Sequence, residues 1–230
     1  SVTEIWDGAF WNCSSLTSVN ISNGVTSIGK YAFWNCSSLT SISIPGSVTE
    51  IWDGAFWNCS SLTSISIPNS VTYIRKFIFK GCTGLTSINI PSGVTQIWYE
   101  AFSGCSGLKT INMLAKTPPE CANHVFDGVH TQVCELVVPK ESVELYKSTS
   151  PWSDFYKITA GINAAKADRV SVAAVGGEIA ITGADCDAVV EVYGLNGMLI
   201  YRGKDKSVPV PSAGVYVVRV AGKTVKVTVN

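Results

Sequence analysis

The chain has 230 residues, with 17 basic and 17 acidic side chains that cancel and 46% hydrophobic residues. That length allows one large or two modest domains, and a balanced charge with no basic run longer than two argues against nucleic acid or an anionic membrane as partner. No apolar run approaches the ~18 residues of a membrane-spanning segment, and the chain does not open on a signal peptide.

From its first residue the chain repeats itself. A 23-residue unit occupies 1–23, 24–46, 47–69, 70–92 and 93–115, five copies without a gap. Units one and three differ only at Val19/Ile65, Asn20/Ser66 and Ser22/Pro68. Tandem self-similarity at this short period predicts a solenoid in which each unit covers its neighbour.

Eight positions are apolar in every copy; in the second they are Val25, Ile28, Ala32, Phe33, Cys36, Leu39, Ile42 and Ile44. No single copy holds enough apolar surface to bury itself, so these positions are expected to form ladders inside one continuous core. The spacing at Leu39, Ile42 and Ile44 ends in the alternation of a half-buried strand, and successive copies should pair as a parallel sheet about 4.8 Å apart. Pro45, Pro68 and Pro91 end that strand, because proline cannot donate to a ladder. Residues 30–38 are too short and mixed for a full helix and are expected as a helical or 3₁₀ turn.

The phrase Val-Thr-x-Ile-x-x-x-Ala-Phe-x-x-Cys-x-x-Leu-x-x-Ile-x-Ile-Pro, five times over residues 1–115, resembles the BspA-type leucine-rich repeat of surface proteins from Bacteroidetes and other microbes. The resemblance implies a curved leucine-rich-repeat solenoid and, among functions, adhesion and other binding at an extracellular or outer-membrane surface. Because residue 1 falls on the first position of a repeat, with nothing before it to cap the core, the natural protein is expected to extend upstream with an export signal and further repeats.

Within the repeats, Cys13, Cys36, Cys59, Cys82 and Cys105 share one apolar column. Five is an odd number and a small hydrophobe suits the site, so buried free thiols are expected over bridges. Trp11, Trp34 and Trp57 share a second column, and Trp6, Trp52 and Trp98 a third; they form either an outer wall of the core or an aromatic surface for sugar rings or a protein partner. Between the inward strand residues, Ser18, Asn20, Ser41, Ser43, Ser64, Ser66, Ser87 and Asn89 should face solvent on the sheet, the usual ligand face of the repeats this chain resembles.

Residues 116–159 lose the period but keep echoes of it at 124–129 and 134–139, then a short helix at 142–147 with Trp152 and Phe155 beyond. This stretch resembles the irregular closing segment of BspA-type arrays. It also carries Cys121, His124, His130 and Cys134, whose spacing matches no standard zinc finger; a zinc site, a disulfide between Cys121 and Cys134 favoured by an oxidising compartment, and plain packing all stay open. Residues 160–169 read as a linker, and Cys186 farther on is assigned nothing beyond packing.

Residues 170–230 change character: Val-rich alternating runs punctuated at Gly176-Gly177, Asn196-Gly197 and Gly222-Lys223 predict six or seven short strands and a small β-sandwich. The runs at 192–201 and 214–220, with a strand at the very C-terminus, resemble the sorting domain of the type IX secretion system, which implies export and release or anchoring at the cell surface. The other reading is an accessory β-sandwich without a sorting role.

For catalysis the chain offers little. It has two histidines, no Gly-x-Ser-x-Gly, no His-Glu-x-x-His and no glycine-rich phosphate loop, and its serines recur with the repeat. The sequence therefore predicts a β-rich leucine-rich-repeat solenoid, with short helical or 3₁₀ turns, plus a C-terminal β-sandwich. It predicts a non-catalytic, cofactor-free surface protein that binds a protein at the cell exterior, with a glycan-binding module or a structural spacer as alternatives.

Overall fold

A computed structural model describes residues 2–161, 171–175, 178–182, 189–195, 197–220 and 223–229. The expected linker beyond Gly161, the Gly176-Gly177 turn, Asn196, Gly222 and Cys186 lie outside the described residues. The chain divides into two compact units, 1–161 and 162–230.

The first unit is a stack of coils built by the repeat. Its main sheet has seven parallel strands in chain order, Ser18–Asn20, Ser41–Ser43, Ser64–Ser66, Ser87–Ile90, Thr110–Met113, Glu135–Pro139 and Lys157–Gly161. Ser18 faces Ser41, Ser41 faces Ser64 and Ser64 faces Ser87, so each column of the sequence becomes a ladder of like residues. On another side of the coils, two-residue strands form two further parallel ladders, one through Glu4–Ile5, Ser27–Ile28 and Glu50–Ile51, the other through Tyr73–Ile74, Gln96–Ile97 and Glu120–Cys121.

The apolar columns fill the interior. Val25, Ile28, Ala32, Phe33, Cys36, Leu39 and Ile42 are buried, with Ile44 partly so. The phenylalanines of six coils stack from Phe10 through Phe33, Phe56, Phe79 and Phe102 to Phe126, at 5.0, 5.4, 5.8, 5.5 and 5.9 Å between ring centroids. Offset stacking of this kind adds to area burial. In the cysteine column, Cys36, Cys59, Cys82 and Cys105 donate their S–H to the carbonyls of Phe10, Phe33, Phe56 and Phe79, each of which also accepts a backbone N–H from the cysteine of its own coil, so the thiol adds a weak second bond between coils.

The stretch expected as a helical or 3₁₀ turn is neither. Each coil instead strings short turns together: in the first, Ala9 N–H donates to Trp6, Trp11 to Gly8 and Cys13 to Phe10. Two left-handed residues separate the turns. One column holds Gly8, Tyr31, Gly54, Phe77, Glu100 and His124, and the other Asn12, Asn35, Asn58, Gly81, Gly104 and Gly128, all at positive φ. Each reversal swings an N–H along the stack, so that Gly8 donates to Lys30 and Asn12 to Trp34 at 2.8 Å. Every coil is thereby hydrogen-bonded to the next on its turn side as well as through its strands. The second column is restricted to Asn and Gly because these residues tolerate that conformation best.

The repeats also run further than five. Residues 116–139 form a sixth coil: Phe126 continues the phenylalanine stack, Gly128 takes the second left-handed position, and Glu135–Pro139 pairs with Thr110–Met113. The last strand, Lys157–Gly161, extends the sheet again and carries ordered structure two residues into the expected linker. Between these strands lie the short helices Lys140–Ser142, Val143–Lys147 and Trp152–Asp154. They close the core: Trp152 and Phe155 meet the last ring, Phe126, edge-on at 5.2 and 5.1 Å. Tyr146 and Trp152 are buried, and their polar tips donate to the carbonyls of Ala115 and Pro119.

The second unit holds seven described antiparallel strands in two sheets. Ser171–Val175, Glu178–Thr182 and Ser207–Pro209 make one; Val190–Gly194, Leu199–Gly203, Gly214–Val220 and Lys223–Val229 make the other. Ile179, Ile181, Val190, Val192, Val208, Tyr216, Val218, Val220, Val227 and Val229 share one core. Alternate residues of each strand point into it, which is the period-2 pattern of the Val-rich runs.

Candidate interaction surfaces of the repeat unit

Hydroxyl groups in the repeats divide into two sets. Thr26, Thr40, Thr49, Thr63 and Thr86 donate to the carbonyls of Thr3, Thr17, Thr26, Thr40 and Thr63, each one coil earlier, and so belong to the framework. On the main sheet, Ser18, Asn20, Ser41, Ser43, Ser64, Ser66 and Asn89 are exposed and Ser87 is half-exposed. Among the described residues the hydroxyls of Ser18, Ser41, Ser43, Ser64, Ser66 and Ser87 make no hydrogen bond to the protein, and only Asn89 is engaged, accepting from Asn112 at 2.8 Å. Over the first four strands the sheet face is therefore a regular, uncharged array of mostly unspent donors and acceptors, whereas the last two strands carry the Glu135–Lys157 ion pair in the same row.

The tryptophan columns are positioned differently from one another. Trp11, Trp34 and Trp57 stack on their neighbours at 4.7 and 5.0 Å, and the row continues to Phe77 at 5.4 Å. Their ring faces are spent on each other, Trp34 Nε1 is buried without a hydrogen-bond partner, and Lys80 lies over Trp57 at 5.3 Å while pairing with Glu100. The pairing with Lys80, followed by a hydrogen bond from Tyr99, holds the Glu100 carboxyl below its usual range. Beside this row Asn35 donates to Asn12 and Asn58 to Asn35, at 2.9 and 3.0 Å; the ladder stops at Gly81, where a side chain would collide with Asn58 Oδ1.

Trp6, Trp52 and Trp98 do not stack, because Gly29 and Arg75 alternate with them. The Arg75 guanidinium lies 4.0 Å over Trp52 and 3.9 Å from Glu50, while Lys30 and Lys76 approach Trp52 and Trp98 at 6.0 and 5.8 Å. The sequence column groups these tryptophans without their partners. The signal was present as an every-second-coil alternation, Trp-Asp in coils one and three against Gly-Lys and Arg-Lys in coils two and four.

Cys121, His124, His130 and Cys134 are not brought together. His124 pairs with Asp127 through Nδ1 at 2.7 Å, and among the described residues no three acidic, cysteine or histidine side chains are placed to hold a metal ion. Cys121 and Cys134 are free thiols here, so the disulfide expected as one alternative is not formed in the structure. Cys121 Sγ instead faces the Pro119 carbonyl at 3.7 Å, and burial pushes the two thiols up to about 12 and about 11. Cys134 is buried one residue before the sixth sheet strand, where the register sets it opposite Lys109, and Val129 fills the place of the earlier cysteines, donating its N–H to Phe126 as Cys105 does to Phe102.

Residues 3–131 match the family described as the BspA type leucine rich repeat region, in six copies. Among solved structures, a leucine rich cell surface protein from Faecalibacterium prausnitzii is 28% identical, with a TM-score of 0.47 over 62% of this chain and 54% of that one. A leucine rich repeat protein of T. pallidum is 26% identical, with a TM-score of 0.49 over 69% of this chain and 79% of that one. A leucine-rich repeat protein from Bacteroides ovatus is 18% identical, with a TM-score of 0.31 over 70% and 64%. The chain spans about half the length of the Faecalibacterium protein, at 54%. No curated protein sequence matches it.

Proposed function

Because this chain belongs to the BspA-type leucine-rich-repeat family, we propose that it is an exported surface protein whose repeat unit binds a protein partner without catalysis. The observation that carries the reading is the division of hydroxyls: framework threonines are consumed by backbone carbonyls, whereas the sheet serines are exposed and unspent. A rigid face of this kind loses little entropy on docking, and its evenly spaced weak contacts favour an extended or multivalent partner. Within the stacked tryptophan row only the outer face of Trp11 lacks an aromatic neighbour, so this row offers little to a sugar ring, which needs a free aromatic face.

The test is a binding array of extracellular-matrix proteins and glycans, probed with the full chain and with a Ser41→Arg, Ser64→Arg double variant. Protein capture that the variant loses supports the reading. Capture of glycans alone, or protein capture unchanged in the variant, overturns it.

For the second unit we propose the sorting role of a type IX secretion domain, supported by the antiparallel hairpin of Val190–Gly194 and Leu199–Gly203 and the terminal strand Lys223–Val229. Secretion that survives deletion of residues 170–230 in a host with that system would leave an accessory domain instead.

A further inference from the structure

The alternation of coils leaves one cation seat filled and its counterpart open. Between Trp52 and Trp98 the space is occupied: Arg75 stacks on Trp52 at 4.0 Å with Glu50 beside it, and Lys76 approaches Trp98. One two-coil step earlier the same frame recurs. Coil one is nearly identical to coil three, so Glu4 and Trp6 are the counterparts of Glu50 and Trp52, and Lys30 approaches Trp52 as Lys76 approaches Trp98.

The residue equivalent to Arg75 is Gly29, which brings no side chain. What remains is a slot of about 490 Å³ bounded by Glu4, Trp6, Asp7, Gly29, Glu50 and Trp52. Trp6 is 76% exposed, and Glu4 has no ion-pair partner among the described residues. Asp7 lies across Gly29, its Oδ1 accepting the Lys30 backbone N–H at 2.6 Å and lying where a Cβ would stand. Three carboxylates thus surround the slot against two cations, Lys30 and Arg75, and the latter is already paired with Glu50.

We propose that this slot receives the guanidinium of an arginine side chain from a protein partner, stacked on Trp6 with Glu4 as counter-ion. The chain itself supplies the precedent, since Arg75 makes the same two contacts in the next frame. A planar, weakly hydrated guanidinium suits a tryptophan face with an adjacent carboxylate better than a compact ammonium does. The inference rests on the reading of the repeat unit as a protein-binding surface, but it places the anchor on the short-strand side of the coils and not on the serine face.

The test needs no natural partner. The probe is N-acetyl-L-arginine amide, titrated into the full ¹⁵N-labelled chain while the tryptophan indole N–H resonances are followed; the matching lysine and citrulline amides are controls. Saturable millimolar shifts confined to Trp6 and Trp52 are expected, weakened about 2- to 5-fold by Glu4→Gln and abolished at Trp52 by Trp6→Ala. Both substitutions fall on exposed side chains. Arg75→Ala should empty the second frame and bring Trp98 into the titration. A silent Trp6, or equal shifts with citrulline or lysine, overturns the assignment. Arginine binding lost while the array still captures protein refutes the slot alone, and binding that persists without any protein capture refutes only the serine-face reading.

Discussion

Phe56→Ala strikes the stack at its centre. Phe56 is fully buried and lies between Phe33 at 5.4 Å and Phe79 at 5.8 Å. Truncating a buried phenylalanine destabilises by about 3–5 kcal/mol through lost transfer energy and the cavity left behind. With aromatic neighbours on both sides the loss belongs near the upper end, at about 4–5 kcal/mol. Phe10 is the contrasting case, half-buried in the first coil and stacked on one side only. Its truncation should remove about 1–2 kcal/mol. All seven tryptophans lie between Trp6 and Trp152, so fluorescence in urea reports on the repeat unit alone even in the full chain. With a denaturant slope of about 2 kcal/mol/M, Phe56→Ala should lower the midpoint by roughly 2 M and Phe10→Ala by less than about 1 M. A repeat array couples each coil only to its neighbours, so the central lesion should also broaden the transition or split it in two. Equal shifts for the two variants, or a loss under about 1 kcal/mol at Phe56, would refute the picture of a continuous stack as the unit's main support.

Gly81→Ala should destabilise the unit by about 1–3 kcal/mol, because Gly81 has φ +71 and a Cβ would meet Asn58 Oδ1 at 2.1 Å; relief of part of that loss in a G81A/N58G double variant, read in the same urea assay, would localise the collision. Thiol labelling of the native chain near pH 8 should be fast at exposed Cys13 and slow at Cys36 and Cys105, whose burial pushes them up to about 11 and about 12, with labelling of Cys36 accelerating as the pH rises. After denaturation without reductant, peptide mass mapping should find Cys121 and Cys134 both alkylated; a linked pair would show a bridge after all. Glu135 is held below its usual range by Lys157 and then by Thr159, so its contribution is present above the unfolded carboxylate value near 4.3 and is lost as the pH falls through the lower folded value. Glu135→Gln should therefore flatten the acid limb of stability against pH; an unchanged limb would mean that this pair does not contribute.

The sequence by itself determined the stack. A period of 23 with eight apolar columns can bury its surface only against another copy of itself, and the structure places Val25, Ile28, Ala32, Phe33, Cys36, Leu39 and Ile42 in that interior. The alternation of Ser18, Asn20, Ser41 and Ser43 about Val19 and Ile42 likewise assigned the solvent face of the sheet, because strand side chains point to opposite sides at every step. In the second unit the same period-2 logic anticipated the antiparallel pairs.

Tertiary structure alone decided what depends on neighbours a coil away. The sixth coil was hidden because its spacing lengthens, Val129 takes over the cysteine place and no leucine recurs before the strand, so that only the pairing with Thr110–Met113 reveals it. The left-handed positions were invisible as turns because Tyr31, Phe77, Glu100 and His124 do not announce positive φ; the demand for an N–H directed along the stack imposes it. The two tryptophan columns look alike in the sequence, yet one closes on itself as a stacked row while the other, interrupted by Gly29 and Arg75, leaves ring faces for cations. A repeat specifies what each coil is, but the use to which a side chain is put depends on the atoms the adjoining coils place against it.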